Sequence, residues 1–153
     1  MTPHFNLTKA NPETDKVEYL LERSRIHFRT GKYLLKTGRI IHGYATLFDS
    51  LISGFEYYII KNKDSLDNTE GFDINDYTGM FLLLNKHNIL DFNFLYFDKL
   101  LSFALESNLN SLDSFTIIQE FKDLLSALSI CPFDESLLPP IQKELMFTEK
   151  NDQ

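Results

Sequence analysis

The segment that most constrains the fold of this chain is the helical stretch from Arg39 to Lys63, RIIHGYATLFDSLISGFEYYIIKNK. Its large apolar residues recur every three or four positions, as they do on one side of an α-helix. They form one broad arc of Ile40, Tyr44, Leu47, Phe48, Leu51, Ile52, Phe55 and Ile59. An arc of this width is typical of a helix covered from more than one side, so the sequence predicts a central helix here.

Three small residues lie on the flank of that arc, at Gly43, Ser50 and Gly54. Small side chains leave a groove into which a neighbouring helix fits closely. A preceding helix is predicted over 12–37, because Asn11 and Pro12 are typical of a helix start and Gly38 of a helix end. Its apolar side carries Val17, Leu20, Leu21, Phe28, Leu34 and Leu35, with Ser24 and Gly31 among them. Only a short turn separates the two helices, so we expect them to form an antiparallel central hairpin.

Shorter amphipathic segments follow. The third, fourth and fifth predicted helices begin at Asp73 or Asn75, at Asp91 and at Asp113. The third is expected to direct Ile74, Tyr77, Phe81 and Leu84 inward and to end at Asn88. The fifth has an apolar side of Ile117, Ile118, Phe121, Leu124, Leu125 and Leu128, and Pro132 stops it. LLPPIQKELMF predicts a short final helix.

These elements predict an all-α fold, a bundle of about five amphipathic helices around the hairpin. We expect a single domain over 1–153, with a loose lead-in at 1–10 and a frayed tail at 148–153. No segment alternates apolar and polar residues for long enough to indicate a strand.

Several classes of protein are disfavoured by composition. No run approaches the roughly 18 apolar residues of a membrane span, and the first residues lack the pattern of a signal peptide. The single cysteine, Cys131, cannot form an internal disulfide. We therefore expect a cytoplasmic protein without membrane association, with Cys131 as a small buried residue rather than a nucleophile. No phosphate-binding loop or zinc-type spacing occurs, so neither a cofactor nor a metal is expected.

Charge is unevenly distributed. Residues 1–39 hold eight basic and four acidic residues, whereas residues 40–153 hold seven basic and eighteen acidic ones. The spacing of Arg25, Arg29, Lys32 and Lys36 places them on one face of the first helix. This basic strip is either a solvated face or a docking site for an acidic protein or an RNA backbone. The acidic remainder of the chain is a further candidate partner, within the molecule or across a dimer.

The less apolar side of the central helix carries His42, Asp49 and Glu56, with Ser53 between them. An imidazole and two carboxylates are groups that serve acid–base catalysis and metal binding. Residues seven apart are separated by about 10 Å along a helix, which is too far for one metal shell. We therefore favour a hydrogen-bonded or exposed polar layer, and keep His42, Asp49 and Glu56 as catalytic candidates.

Aromatic residues are abundant, with fourteen Phe and seven Tyr. Most are expected in the core, but those around Tyr57, Tyr58, Phe92, Phe94, Tyr96 and Phe97 are also a candidate pocket lining. The run 92–97 is almost unbroken in its apolarity, and consecutive helical positions cannot all face one core. We expect Phe92, Phe94, Tyr96 and Phe97 to form a homodimer interface. The alternative is a monomer in which this helix is wrapped on all sides.

The stretch LLKTGRIIHGYATLFDSLISGFEYYI, from Leu34 to Ile59, resembles HEPN domains. In that family a helix ending in a Gly turn leads into a helix with small residues and then an aromatic, here Gly38, Gly43, Ala45, Leu47, Phe48, Asp49 and Ser50. Tetratricopeptide-like hairpins share much of this pattern. The resemblance implies a four- or five-helix bundle that often dimerises.

HEPN members that are RNases carry an Arg followed four to six residues later by a His, on a late helix. The last Arg here is Arg39 and the last His is His87, and the pairs Arg23–His27 and Arg39–His42 lie in early helices. The resemblance therefore implies the non-catalytic branch, whose members include partners and substrate-binding domains of nucleotidyltransferases.

The expected function is a non-catalytic helical interaction module that self-associates and binds a protein, with nucleotidyltransferases and toxins among the partner types. One alternative is a HEPN-like RNase or small-substrate enzyme that uses His42 and Asp49. Another is a small-molecule binder with an aromatic-lined pocket. A concave site that holds His42, Asp49 and a basic side chain together would favour the enzyme.

Overall fold

The structure of the chain is a computed structural model that describes residues 8–66, 71–91, 93–94, 98–99, 102, 106 and 114–141. The helices bounded there are α1 (Lys16–Lys36), α2 (Ile40–Lys61), α3 (Tyr77–Lys86) and α4 (Ser114–Ala127), followed by a 3-10 turn at Glu135–Leu137. The described residues at 93–94, 98–99, 102 and 106 are helical as well, and no strand occurs among the described residues. The all-α prediction is confirmed.

The predicted fourth and final helices fall largely outside the described residues, so the count of five helices stays a prediction. The predicted fifth helix is α4, with its apolar side buried as expected. Part of the predicted lead-in is anchored rather than loose. The Glu22 carboxylate accepts hydrogen bonds from the backbone N–H of Lys9 at 2.6 Å and of Ala10 at 3.2 Å.

Two helices begin later than predicted. The Asn11 side chain accepts hydrogen bonds from two backbone N–H groups, but these close a turn that precedes α1. Before α3, the Asp73 carboxylate accepts a hydrogen bond from the backbone N–H of Asn75 at 3.0 Å, which also forms a turn. Ile74 lies in that turn and is 40% exposed, so the prediction that it points inward was wrong.

Three helices end in the same way. A residue with positive φ follows each, and these residues are Gly38, Asn88 and Ser129. After α1, the N–H of Arg39 donates to the carbonyl of Leu34 at 2.9 Å and the N–H of Gly38 donates to that of Leu35 at 3.2 Å. The corresponding pair of bonds closes α3 and α4. Each pair satisfies carbonyl groups that a helix end would otherwise leave open, as in a Schellman motif.

Glycines allow α1 and α2 to pack closely. A Cβ built on Gly31 would lie 2.8 Å from Leu47 Cγ, and one built on Gly43 would lie 2.8 Å from Leu35 Cγ. Each helix therefore inserts a leucine against a glycine of the other. Residue numbers rise along α1 as they fall along α2 in these pairs, so the predicted antiparallel hairpin is confirmed.

Two buried serines add polar contacts to this interface. Ser24 Oγ donates to the carbonyl of Ser50 at 2.8 Å, and Ser50 Oγ donates to the carbonyl of Ser24 at 2.6 Å. Both side chains are fully buried. A buried hydroxyl that lost its partner would be costly, so the pair fixes the register of the two helices.

The middle of α1 is enclosed as thoroughly as α2. The consecutive residues 26–31 are all buried, and they span more than one helical turn. Only Phe28 and Gly31 of these belong to the predicted apolar side. The expectation that α2 is the central helix was therefore incomplete, because Ile26, His27 and Thr30 are fully buried as well.

Aromatic rings from several helices form a continuous cluster made of Phe48, Phe55, Tyr77, Phe81, Phe94 and Phe121. Tyr77 stacks on Phe55 with ring centroids 5.6 Å apart, and Phe94 approaches Phe81 at 5.4 Å. Phe94 is 1% exposed. It was predicted at a dimer interface, and it lies instead in the core of the single chain.

Candidate functional site

The acid–base candidates on α2 do not share a concave site. His42 and Glu56 are half-buried, and Asp49 is exposed. The described residues bound hollows of about 410, 280 and 470 Å³, among others, and neither His42 nor Asp49 lines any of these three. Glu56 lines a hollow of about 280 Å³ with Lys16 and Met80. In the part of the chain that the structure describes, no three His, Cys, Asp or Glu residues cluster as a metal site requires.

Ser53 was predicted on the polar face of α2 with His42, Asp49 and Glu56, but it lies at the interface between α1 and α2. It is buried, and its Oγ accepts a hydrogen bond from Arg23 Nε at 3.1 Å. Ser53 is thus a polar contact between α1 and α2. The small size of the residue suits this close interface.

The four residues of the predicted basic strip have different surroundings. Arg29 is buried, Arg25 and Lys32 are half-buried, and Lys36 is exposed. The strip therefore presents fewer charges to solvent than its spacing predicts. One reason is that the chain after α4 lies against α1 and contacts Arg25 and Lys32.

The segment 128–138, called the closing segment below, lies against α1. Arg25 Nε donates to the carbonyl of Ile130 at 3.0 Å, and its guanidinium lies 5.3 Å from the centre of the Phe133 ring. Lys32 Nζ forms an ion pair with Glu135 Oε2 at 2.9 Å. Part of the strip is thus satisfied by the acidic half of the same molecule, one of the arrangements considered from the sequence.

Local hydrogen bonds shape the closing segment. Ser129, with φ of 63°, reverses the chain after α4. Further on, Asp134 Oδ1 accepts hydrogen bonds from the hydroxyl of Ser136 at 2.7 Å and from its backbone N–H at 3.0 Å. These bonds lower the pKa of the Asp134 carboxyl and begin the 3-10 turn that carries Glu135.

A cleft of about 410 Å³ lies between α1, α4 and the closing segment. Its apolar lining consists of Phe28, Phe115, Ile118, Cys131, Pro132 and Phe133. Lys32 and Lys36 line it from α1 and Lys122 from α4, and Glu135 is the only acidic residue among its described lining. The cleft therefore combines apolar walls with an excess of positive charge.

The lysines differ in availability. Lys32 is engaged by Glu135. Within the described ranges, neither Lys36 nor Lys122 forms an ion pair. Two ammonium groups at the cleft can thus bind an anion without first breaking a contact of this kind.

Cys131 lines the cleft without the properties of a nucleophile. It is buried as predicted, and burial raises the pKa of its thiol to about 11, although the charges of Lys122, Arg25 and Lys32 act in the opposite direction. The thiolate is the reactive form of cysteine. A thiol with this pKa stays protonated at neutral pH, so Cys131 is not an activated nucleophile.

A second hollow, of about 470 Å³, lies on another side of α1. Its lining comprises Arg29, Lys32, Tyr33, Lys36, Glu135 and Ile141. Lys32, Lys36 and Glu135 line both hollows, which are therefore neighbours. Charged groups near the end of α1 thus border each of them.

Of the aromatic residues predicted to line a pocket, those that the structure describes lie outside the three hollows. Tyr57 is buried, and its hydroxyl accepts a hydrogen bond from Lys61 Nζ at 2.9 Å. Neither Tyr57, Tyr58 nor Phe94 lines any of the three hollows. Phe92, Tyr96 and Phe97 lie outside the described residues, and with them most of the predicted dimer interface.

Several residues of the cleft were not predicted from the sequence, among them Phe115, Lys122 and Phe133. Phe115 and Lys122 are exposed positions of α4, where a single apolar or basic residue is common and carries no signal. Phe133 follows Pro132 in an irregular segment, which has no periodicity to interpret. A lone Phe beside the predicted helix stop was the only available indication.

A scan against protein-family models found no match, and searches of curated proteins and of solved structures found no significant match. Among the described residues, no helix combines the length and apolarity that crossing a membrane requires.

Proposed function

We propose that this chain is a non-catalytic helical interaction module that binds an acidic protein partner at the cleft between α1 and α4. The observation that carries the proposal is the placement of Lys32, Lys36 and Lys122 around an apolar cleft. The chain as a whole has a formal net charge of −7, so this positive region stands out. Complementary charge would orient the partner, and the apolar walls would supply the buried contact.

Binding is favoured over catalysis because the acid–base candidates predicted from the sequence lie outside the cleft. The imidazole of His42 and the carboxylate of Asp49 line none of the three hollows. The non-catalytic branch of HEPN-like bundles fits this arrangement, and we keep that resemblance as part of the proposal. A reducing, cytoplasmic environment suits the buried free thiol of Cys131.

We further propose that the chain forms a homodimer in which a second copy supplies the acidic surface. Residues 40–153 hold eighteen acidic residues against seven basic ones, so the charges needed for such a contact are present. Light scattering at micromolar concentration should give a mass above the 17.9 kDa of one chain, decreasing with dilution and with added salt. A mass of one chain at every concentration would contradict self-association.

The partner site can be tested with a pair of charge-reversed variants. Lys36→Glu with Lys122→Glu changes the cleft, whereas Lys63→Glu with Lys86→Glu makes the same charge change at exposed lysines that do not line it. Each protein is immobilised and exposed to an extract of its source organism at low salt. We expect the wild type and the control to retain the same acidic proteins and the cleft variant to lose them. Equal retention by both variants would refute the proposed site.

The enzyme alternative has its own test. Wild type and His42→Ala are incubated with mixed RNA, and the products are separated by size. We expect no cleavage by either protein. Cleavage by the wild type that is lost in His42→Ala would favour the RNase over the interaction module.

A further inference from the structure

We infer that the cleft between α1, α4 and the closing segment binds a small amphipathic anion, with an apolar body of about eight carbons or one ring system and a carboxylate or phosphate head. Its volume of about 410 Å³ lies within the range of small-molecule sites. The ligand and the proposed protein partner would exclude each other at this cleft, and the inference does not depend on the partner.

The apolar walls define where the body of such a ligand lies. Phe28 and Ile118 are buried core residues that also line the cleft, so they offer rigid apolar surface. Phe28 and Phe133 meet edge to face with centroids 6.3 Å apart, which fixes the orientation of both rings. Phe115 lines the cleft although it is 76% exposed. An apolar ligand would cover this ring and recover part of the free energy that its exposure costs.

The lysines define where the head group lies. Lys36 approaches from α1 and Lys122 from α4, and among the described residues neither forms an ion pair. The one carboxylate of the described lining, on Glu135, is paired with Lys32 and so repels an incoming anion less than a free carboxylate would. An anion in contact with these exposed ammonium groups would gain charge-assisted hydrogen bonds.

The closing test uses a fluorescent anion with a ring body, 8-anilinonaphthalene-1-sulfonate, added to the full chain. We expect blue-shifted fluorescence that saturates at one probe per chain. Octanoate should displace the probe, whereas octanol, which has the same chain length without the charge, and acetate, which has the charge without the chain, should each be at least tenfold weaker. Octyl phosphate, compared with octanoate below its micelle concentration, tells which head group is preferred.

Variants locate the probe. Lys122→Gln and Lys36→Gln should each weaken binding by about tenfold, as expected for a lost hydrogen bond to a charged group. Lys86→Gln is the matched control and should have no effect, and the thermal midpoint of each variant confirms that it is folded. Absence of saturable binding, equal displacement by octanol, or no effect of Lys122→Gln would each overturn the inference. The capture experiment can fail while this one succeeds, because no protein partner takes part here.

Discussion

At the scale of single residues, the helix ends show what the backbone requires. Ser129 has the left-handed conformation that Gly38 also has, but Ser129 carries a side chain there. A residue with a Cβ in this conformation costs about 1 kcal/mol relative to glycine. We predict that Ser129→Gly raises the free energy of unfolding by about that amount, measured by urea denaturation.

Gly38 supplies the converse experiment. A Cβ built on Gly38 meets nothing within 4 Å, so Gly38→Ala changes the backbone preference without a new contact. It should lower the free energy of unfolding by about 1 kcal/mol. If both variants shifted stability in the same direction, the left-handed conformation would not be the cause.

Cys131 contributes to the dependence of stability on alkaline pH. Burial raises its pKa from 9.0 to about 11, so the folded chain holds the thiol proton to a higher pH than the unfolded chain. The resulting stability is fully present below pH 9.0 and is lost as the pH rises through about 11. We predict that the stability advantage of the wild type over Cys131→Ala shrinks by roughly 2 kcal/mol across this window. Urea denaturation at several pH values measures it, and a constant difference would contradict the assignment.

At the scale of elements, the packing of α1 on α2 depends on glycines. A Cβ at Gly43 would lie 2.8 Å from the Leu35 side chain and 3.0 Å from its backbone nitrogen. Alanine is the better helix former, but overpacking outweighs this gain, so we predict a net loss of about 1 to 2 kcal/mol for Gly43→Ala.

A double-mutant cycle with Leu35→Ala identifies the source of that loss. Leu35→Ala alone leaves a void and should cost roughly 2 to 5 kcal/mol. In its presence, Gly43→Ala should cost less than it does in the wild type, because the clash with the leucine side chain is gone and only the 3.0 Å approach to the backbone nitrogen of residue 35 remains. Strict additivity of the two changes would show that the leucine does not cause the strain.

The small-residue groove on α2 was predicted from the sequence, but the residues that pack into it were not. The small residues Gly43, Ser50 and Gly54 are visible as a groove from their spacing alone. The residues that fill the groove follow from register and tertiary packing, which spacing does not encode. Gly54, for example, faces Leu125, Leu128 and Ile130, which come from a distant part of the chain.

At the scale of the whole molecule, the cleft shows the same contrast between local spacing, which the sequence reveals, and contacts between distant residues, which it does not. The basic strip was visible because helical spacing is local. The cleft was not, because Lys32 and Glu135 are 103 residues apart in the sequence and Arg25 and Ile130 are 105 apart. The uneven charge distribution indicated that the basic residues 1–39 and the acidic residues 40–153 attract each other. It did not indicate which side chains form the contacts.

The contacts of the closing segment differ in their expected contribution. Arg25 combines a hydrogen bond to Ile130 with stacking on Phe133, so Arg25→Ala should cost about 1 to 3 kcal/mol. The ion pair of Lys32 with Glu135 is partly open to solvent, and Lys32→Ala should cost less than about 1 kcal/mol. Thermal or urea unfolding of both variants measures the difference. A larger loss for Lys32→Ala would mean that the ion pair, rather than Arg25, holds the segment in place.

The enclosure of residues 26–31 also restricts the length of α1. Adding or removing one residue rotates the rest of a helix by about 100°. A helix with one exposed side can absorb this change near its ends, but α1 has no exposed side in its middle to receive the displaced residues. The glycine of one helix would lose the leucine of the other, and Ser24 would lose Ser50. A single insertion or deletion in the middle of α1 should therefore be costly, so the length of this region is as constrained as its composition.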